Sequence, residues 1–167
     1  MTIEKVILVD EQDNAIGEME KLEAHQKGLL HRAFSVFIFN NKGQMLLQQR
    51  ALSKYHSAGL WTNTCCSHPF PNEDTKSAAK RRLMEEMGMH AEIEYKNFLI
   101  YKTKFENGLF EHEYDHLFIG KSDQQPKINK TEVENFEWLT LEEIKEKIKL
   151  NPEQFTHWFK LAIEKFF

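Results

Sequence analysis

Short apolar blocks bounded by turn residues predict most of the strands. Val6 to Val9 is the first, followed by a turn through Asp13-Asn14. Ala33 to Phe39 is almost continuously apolar, the pattern of a strand buried on both faces. Asn40-Asn41-Lys42-Gly43 signals a turn, and Gln44 to Gln49 returns as the partner of a hairpin. Leu60 to Cys65 is a short extended run. Asn97 to Phe105 and Leu109 to Gly120 predict a second hairpin around Glu106-Asn107-Gly108, and Asn135 to Leu139 a last strand. Three segments change to helical spacing. From about Glu73 to Met87, the residues Ala79, Leu83 and Met87 form one stripe, with Asn72 as the expected cap and Gly88 as the stop. A second helix starts at Thr140, where Glu143 completes a capping box. A third follows Pro152, with Phe155, Phe159, Ala162 and Phe166 on one face. Strands in front and helices behind predict an α+β fold of mixed sheets packed with helices.

Composition changes this picture little. The 167 residues suit one domain, 1–167, with a real core. A net charge of -4 gives no broad basic footprint, so no nucleic-acid partner is expected. No apolar run reaches membrane-spanning length, and the acidic start MTIEKVILVDEQDN lacks the features of a signal peptide. A cytoplasmic protein is the expectation. Cys65 and Cys66 are the only cysteines. Neighbouring Cα atoms stand about 3.8 Å apart, whereas an unstrained disulfide wants roughly 4.4–6.8 Å. Two free thiols are therefore expected, as in a reducing compartment.

The candidate chemistry sits in two places. The helix "KRRLMEEMGM" and the loop before it resemble the Nudix box, G-x5-E-x7-R-E-U-x-E-E-x-G-U, where U is aliphatic. Glu73, Arg81, Leu83, Glu85, Glu86 and Gly88 match, while Ser67 replaces the first glycine and Arg82 a glutamate. By spacing alone the same helix also fits a solvated face with Arg81–Glu85 and Arg82–Glu86 pairs. In Nudix hydrolases these carboxylates gather divalent metal. A guanidinium among them favours holding a diphosphate over cutting it. Glu111 and Glu113 share one face of a strand, and His112 and His116 the other. Spacing does not assemble these residues, or His25, His31 and His68, into one site.

Six segments together carry a wider resemblance: "EKLEAH", "LLHRAFSVFIFN", "LLQQRALSK", "LWTNTCCSHP", "RRLMEEMG" and "FEHEYDHLF". In order and with matching gaps, they resemble the type I isopentenyl diphosphate isomerases over nearly the whole chain. That family has a Nudix-like fold, an α/β/α sandwich, and serves isoprenoid biosynthesis. The resemblance implies a small isoprenoid diphosphate as substrate and no flavin or nicotinamide. It implies that Glu113, assisted by Tyr101, protonates the alkene and that Cys66, as a thiolate, removes a proton from the neighbouring carbon. Trp158 would steady the carbocation. His25, His31, His68, Glu111 and Glu113 would hold Zn²⁺, Mn²⁺ or Mg²⁺, and Glu86 a Mg²⁺ shared with the diphosphate. Lys21, Arg50, Lys54 and Arg82 would bind that diphosphate. The segment with Lys21 and His25 is expected to order over the site. Ser67 strains the loop if its position needs φ > 0, and Cys65 reads as a small packing residue. Two other readings stay open at this stage, a Nudix hydrolase and a non-catalytic metal- or diphosphate-binding domain.

Overall fold

The computed structural model describes residues 3–167. Its centre is β3 (His31–Phe39), the block that reads as buried on both faces. β3 runs parallel to β8 (Phe110–Lys121) along its whole length, from His31↔Glu113 to Phe39↔Lys121. On its other side it pairs antiparallel with β6 (Cys65–Ser67), and at its ends it touches β1 (Lys5–Val9) and β4 (Gln44–Arg50). β7 (Ile93–Lys104) forms the expected hairpin with β8, bulged at Tyr95/Asn97. β9 (Val133–Thr140) pairs with β4, as does the two-residue β5 (Trp61–Thr62).

Strand pleating sorts the core into two layers. Phe34, Val36, Ile38 and Cys65 pack under α2 (Thr75–Met87) with Ala79, Leu83 and Met87. Phe37, Met45, Leu47 and Leu117 pack on the opposite side. There they meet Ile144 of α3 (Leu141–Leu150) and Trp158, Phe159 and Ala162 of α4 (His157–Phe166). Mixed sheet between helices is the expected sandwich. Full burial of Leu83 and Met87 contributes about 2 kcal/mol each, so α2 is anchored by its stripe more than by propensity.

Several boundaries differ from expectation. Asn72 does not cap α2. It takes a left-handed turn (φ 67°), and Asp74 accepts from Ser77 N at 3.0 Å instead. Asp serves as well as Asn at that position, and the turn at Asn72 decides which residue is last before the helix. Gly88 ends α2 at φ 62°, as expected. Thr140 caps α3 through Glu143 N. After Pro152 a 3₁₀ turn intervenes, and α4 starts only once Thr156 caps it. Two elements escape the pattern: β2 (Ala15–Glu20) and α1 (Lys21–Lys27). β2 is an exposed edge with no apolar alternation, and α1 is too short to show a helical period. No helix among the described residues is long and apolar enough to cross a membrane.

Candidate active site

Register builds the site. Pairing β3 with β8 sets His31 beside Glu113, and pairing β7 with β8 sets Tyr101 on the other side of Glu113. Cys66 faces Ser35 across the β3–β6 pair. α1 supplies Lys21 and His25, and α4 supplies Trp158. Lys21, Ser35, Cys66, Tyr101, Glu113 and Trp158 line a cleft of about 130 Å³, close to the size of cavity that holds a benzene ring.

At one wall His25, His31, His68 and Glu113 bring four donor atoms within 4.8 Å of one another, all of them buried. His31 Nδ1 donates to the Leu29 carbonyl at 2.9 Å, which leaves the Nε2 lone pair facing the cluster. His25 Nε2, His31 Nε2 and His68 Nδ1 have no hydrogen-bond partner. Burial depresses all three imidazoles, His25 to about 2 and His31 and His68 to about 3, so they are neutral at pH 7. Neutral, buried nitrogens without partners and an adjoining carboxylate suit a divalent metal. Two of the six expected ligands lie outside this group. Glu111 accepts from the Tyr101 hydroxyl and lies 3.3 Å from His56 Nε2. Glu86 uses one oxygen for Gln48 Nε2 (3.0 Å) and the other for Arg82 Nε (3.1 Å).

The Tyr101 hydroxyl donates to Glu111, the nearer acceptor, and lies 3.3 Å from Glu113 Oε2. Burial raises Glu113 to about 8. Glu111 and Asp115 are also pushed well up by burial, and Ser35 Oγ donates to Asp115 at 2.8 Å. Burial pushes the Cys66 thiol up, and Arg50 is the first influence opposing that shift. Ser67 carries no strain. It lies in β6, and the non-glycine residues with positive φ among those described are Asp13, Ser57 and Asn72.

The four expected diphosphate ligands all line the cleft. Lys21 pairs with Glu4 at 3.4 Å. Glu132 binds Lys54 and lies 3.3 Å from Arg82. Arg50 places its guanidinium 5.3 Å from the Trp158 ring centroid and has no carboxylate partner among the described residues. On α2 both helix pairs form, Arg81–Glu85 at 3.3 Å and Arg82–Glu86 at 3.1 Å. Arg81 also holds Glu73 through two 2.8 Å bonds, which ties the loop before α2 to the helix.

Sequence reasoning missed Glu4, Tyr55, His56, Asp115 and Glu132, which also line the cleft. Asp115 had a signal, since it continues the period of two from Glu111 and Glu113. The others arrive from loops or strand ends, where no period exists.

Comparison with known proteins follows the same lines. The NUDIX domain family model matches residues 29–159. An isopentenyl-diphosphate Delta-isomerase of Pectobacterium atrosepticum is 52% identical over 97% of this chain and 90% of its own length. Isopentenyl-diphosphate Delta-isomerase 2 of Photorhabdus laumondii is 50% identical over 96% of this chain and 90% of its own. Among solved structures, a Deinococcus radiodurans protein covers 98% of this chain and 100% of its own, with TM-score 0.80 and 18% identity. A MutT protein of Methanosarcina mazei covers 82% of this chain and 92% of its own, with TM-score 0.66 and 22% identity. At that identity the two structures speak for the fold alone.

Proposed function

The chain belongs to the isopentenyl-diphosphate Delta-isomerases on the NUDIX fold, and from that premise we propose how its cleft interconverts isopentenyl and dimethylallyl diphosphate. One observation carries the reading: Cys66 and Glu113, from different strands, line the same buried cleft as four cationic side chains. The reaction adds one proton to an alkene carbon and removes another from the neighbouring allylic carbon. It therefore needs two proton-transfer groups and an anchor for the diphosphate.

In the forward direction, Glu113 donates its proton to the terminal alkene carbon while Tyr101 holds the carboxyl in place. The positive charge develops on the tertiary carbon, and Cys66 takes a proton from the carbon beyond it. The new double bond forms there. Reversal uses the opposite one-proton state, with Cys66 the donor and Glu113 the acceptor. Burial favours the thiol, and Arg50 pulls toward the thiolate that the forward direction requires. The face of Trp158 already accepts the Arg50 guanidinium, and the same face suits the carbocation. Water has to be excluded during turnover, since it would trap the cation as an alcohol.

Lys21, Arg50, Lys54 and Arg82 hold the diphosphate, with Arg82 as a planar fork. Glu132 and Glu4 keep Lys54, Arg82 and Lys21 in place before substrate arrives. His25, His31, His68 and Glu113 would hold the metal, Zn²⁺ or Mn²⁺ by preference for imidazole. When bound, it supplies positive charge beside Glu113. Glu86 with Mg²⁺ at the diphosphate is the second metal assignment, and it requires Glu86 to share its bonds to Gln48 and Arg82. The chain works as one domain, in a reducing cytoplasm that keeps Cys66 a free thiol.

Incubation with isopentenyl diphosphate and a divalent metal in D₂O, followed by NMR, tests the reading. Deuterium in the new methyl group of dimethylallyl diphosphate is the expected result. Inorganic phosphate release without rearrangement would instead identify a hydrolase, and an unchanged spectrum a binding domain.

A further inference from the structure

The loop between β4 and β5 carries one hydroxyl that the mechanism above does not use. Tyr55 Oη is hydrogen-bonded to His25 Nδ1 at 2.9 Å. The same ring lies 5.8 Å from Lys21 Nζ, so both functional side chains of α1 meet Tyr55. The loop has supports that do not belong to α1. Gly59 N donates to the Arg50 carbonyl at 3.1 Å, and Lys54 N to the Ala51 carbonyl at 3.2 Å. Asn107 Nδ2, in the turn of the β7–β8 hairpin, donates to the Tyr55 carbonyl at 2.9 Å. The Tyr55 ring also meets the His56 ring edge-on (5.0 Å, 78°). α1 needs an outside support of this kind. It has seven residues, of which Ala24 and His25 are buried, and a helix that short has little stability of its own in water.

The contact also decides which nitrogen of His25 is available. Nδ1 is engaged by Tyr55, and Nε2 is buried without a partner. Nε2 is therefore the nitrogen left for the four-residue cluster. An imidazole that gives one nitrogen to a metal carries its N–H on the other, and that N–H is oriented by an acceptor. Tyr55 Oη stands where that acceptor belongs. His31 has the same arrangement, with Nδ1 on the Leu29 carbonyl. The two imidazoles differ in what holds them. Backbone holds His31, whereas a side-chain hydroxyl from another segment holds His25.

We propose that Tyr55 is a positioning residue for the metal site: its hydroxyl holds His25 Nδ1 and so presents His25 Nε2 to the metal. The inference rests on the metal assignment in the reading above. It places no demand on Glu111 or Glu113, which stay available as ligands. Without the hydroxyl, the His25 ring loses its fixed rotation, and the cluster loses the ligand that α1 brings to it. Removing an acceptor of this kind typically weakens a metal site about 10–100-fold.

Tyr55→Phe tests it, since it removes the hydroxyl alone and keeps the ring beside Lys21 and His56. The full chain is titrated with Zn²⁺ in competition with a chromophoric chelator, and its melting is followed with and without Zn²⁺. His25→Ala and the double variant complete a cycle. The expected result is Zn²⁺ affinity about 10–100-fold weaker in Tyr55→Phe, with a metal-free Tm within about 4 °C of wild type. His25→Ala should weaken Zn²⁺ binding at least as much. In the His25→Ala background, Tyr55→Phe should add less than about twofold, because both act through one ligand. Unchanged Zn²⁺ affinity in Tyr55→Phe would overturn the proposal. So would the same fold-loss with and without His25, or a metal-free Tm that falls by more than about 4 °C, which would make Tyr55 a residue of the fold and not of the site. A wild-type chain that binds no Zn²⁺ would overturn the metal assignment itself. One that makes no dimethylallyl diphosphate would overturn the isomerase reading.

Discussion

Cys65 and Cys66 share a strand and a side-chain type, yet the pleat sends them to opposite faces. Cys65 is fully buried among Phe34, Leu83 and Met87 under α2, while Cys66 opens into the cleft beside Arg50 and Glu111. Cys66→Ala should therefore abolish isomerisation and leave folding intact. Cys65→Ala should keep most of the activity and cost about 1 kcal/mol of stability, as for one buried methyl-sized group. Steady-state kinetics and urea unfolding of the two variants check this, and equal activities would remove Cys66 from the mechanism. Glu111 and Glu113 show the same economy within one strand face. Two residues apart, they divide the Tyr101 hydroxyl between them, and only Glu113 joins the histidine cluster. The strand period was readable in the sequence, but that division of roles was not. It depends on Tyr101, which arrives from a neighbouring strand.

The helix α2 carries two demands at once. Its apolar stripe anchors it to β3 and β6, while Arg82 lines the cleft and pairs with the buried Glu86. Arg82→Leu should weaken diphosphate binding, seen as a KM raised about 10–100-fold. It should also destabilise the fold by about 3 kcal/mol, because it leaves the buried Glu86 carboxylate without its cation. An unchanged KM would take Arg82 out of the diphosphate site. At the end of α2, Gly88 sits at φ 62°, and a Cβ there would meet the Lys127 carbonyl at 2.5 Å. Gly88→Ala should cost at least about 2 kcal/mol, measured by thermal melting against wild type. The stop at Gly88 was legible because a left-handed C-cap has a residue signature. α1 ends on the same signature at Gly28 (φ 67°), but its seven residues are too few to show a helical period.

Across the whole molecule, the histidine cluster ties together α1, β3, β8 and the segment after β6. A metal there should act as a stitch. At a hundredfold excess over Kd it contributes about 2.7 kcal/mol, or roughly 5–10 °C in Tm for a chain of this size. Chelation should reverse that rise, and His25→Ala should reduce it. Trypsin should cut at Lys21 and Lys27 faster in the chelated protein than in the metal- and substrate-analogue-bound one. A Tm indifferent to chelator, or equal cleavage in both states, would contradict the stitch. The expected β3–β4 hairpin keeps its turn but only one pair, Phe39↔Met45, because β3 takes β8 and β6 as partners and β4 takes β9. The sequence by itself determined the α+β class, the β7–β8 hairpin, the three longer helices and the residue types of the site. Those follow from local periodicity, caps and turn residues, which act between near neighbours in the chain. Only the tertiary structure decided which ligand-type residues converge, that Glu111 and Glu86 stand outside the four-residue cluster, and that Cys65 and Cys66 face different surroundings. Those outcomes depend on strand register and on burial. Both are set by pairings between residues far apart in sequence, and no local pattern encodes them.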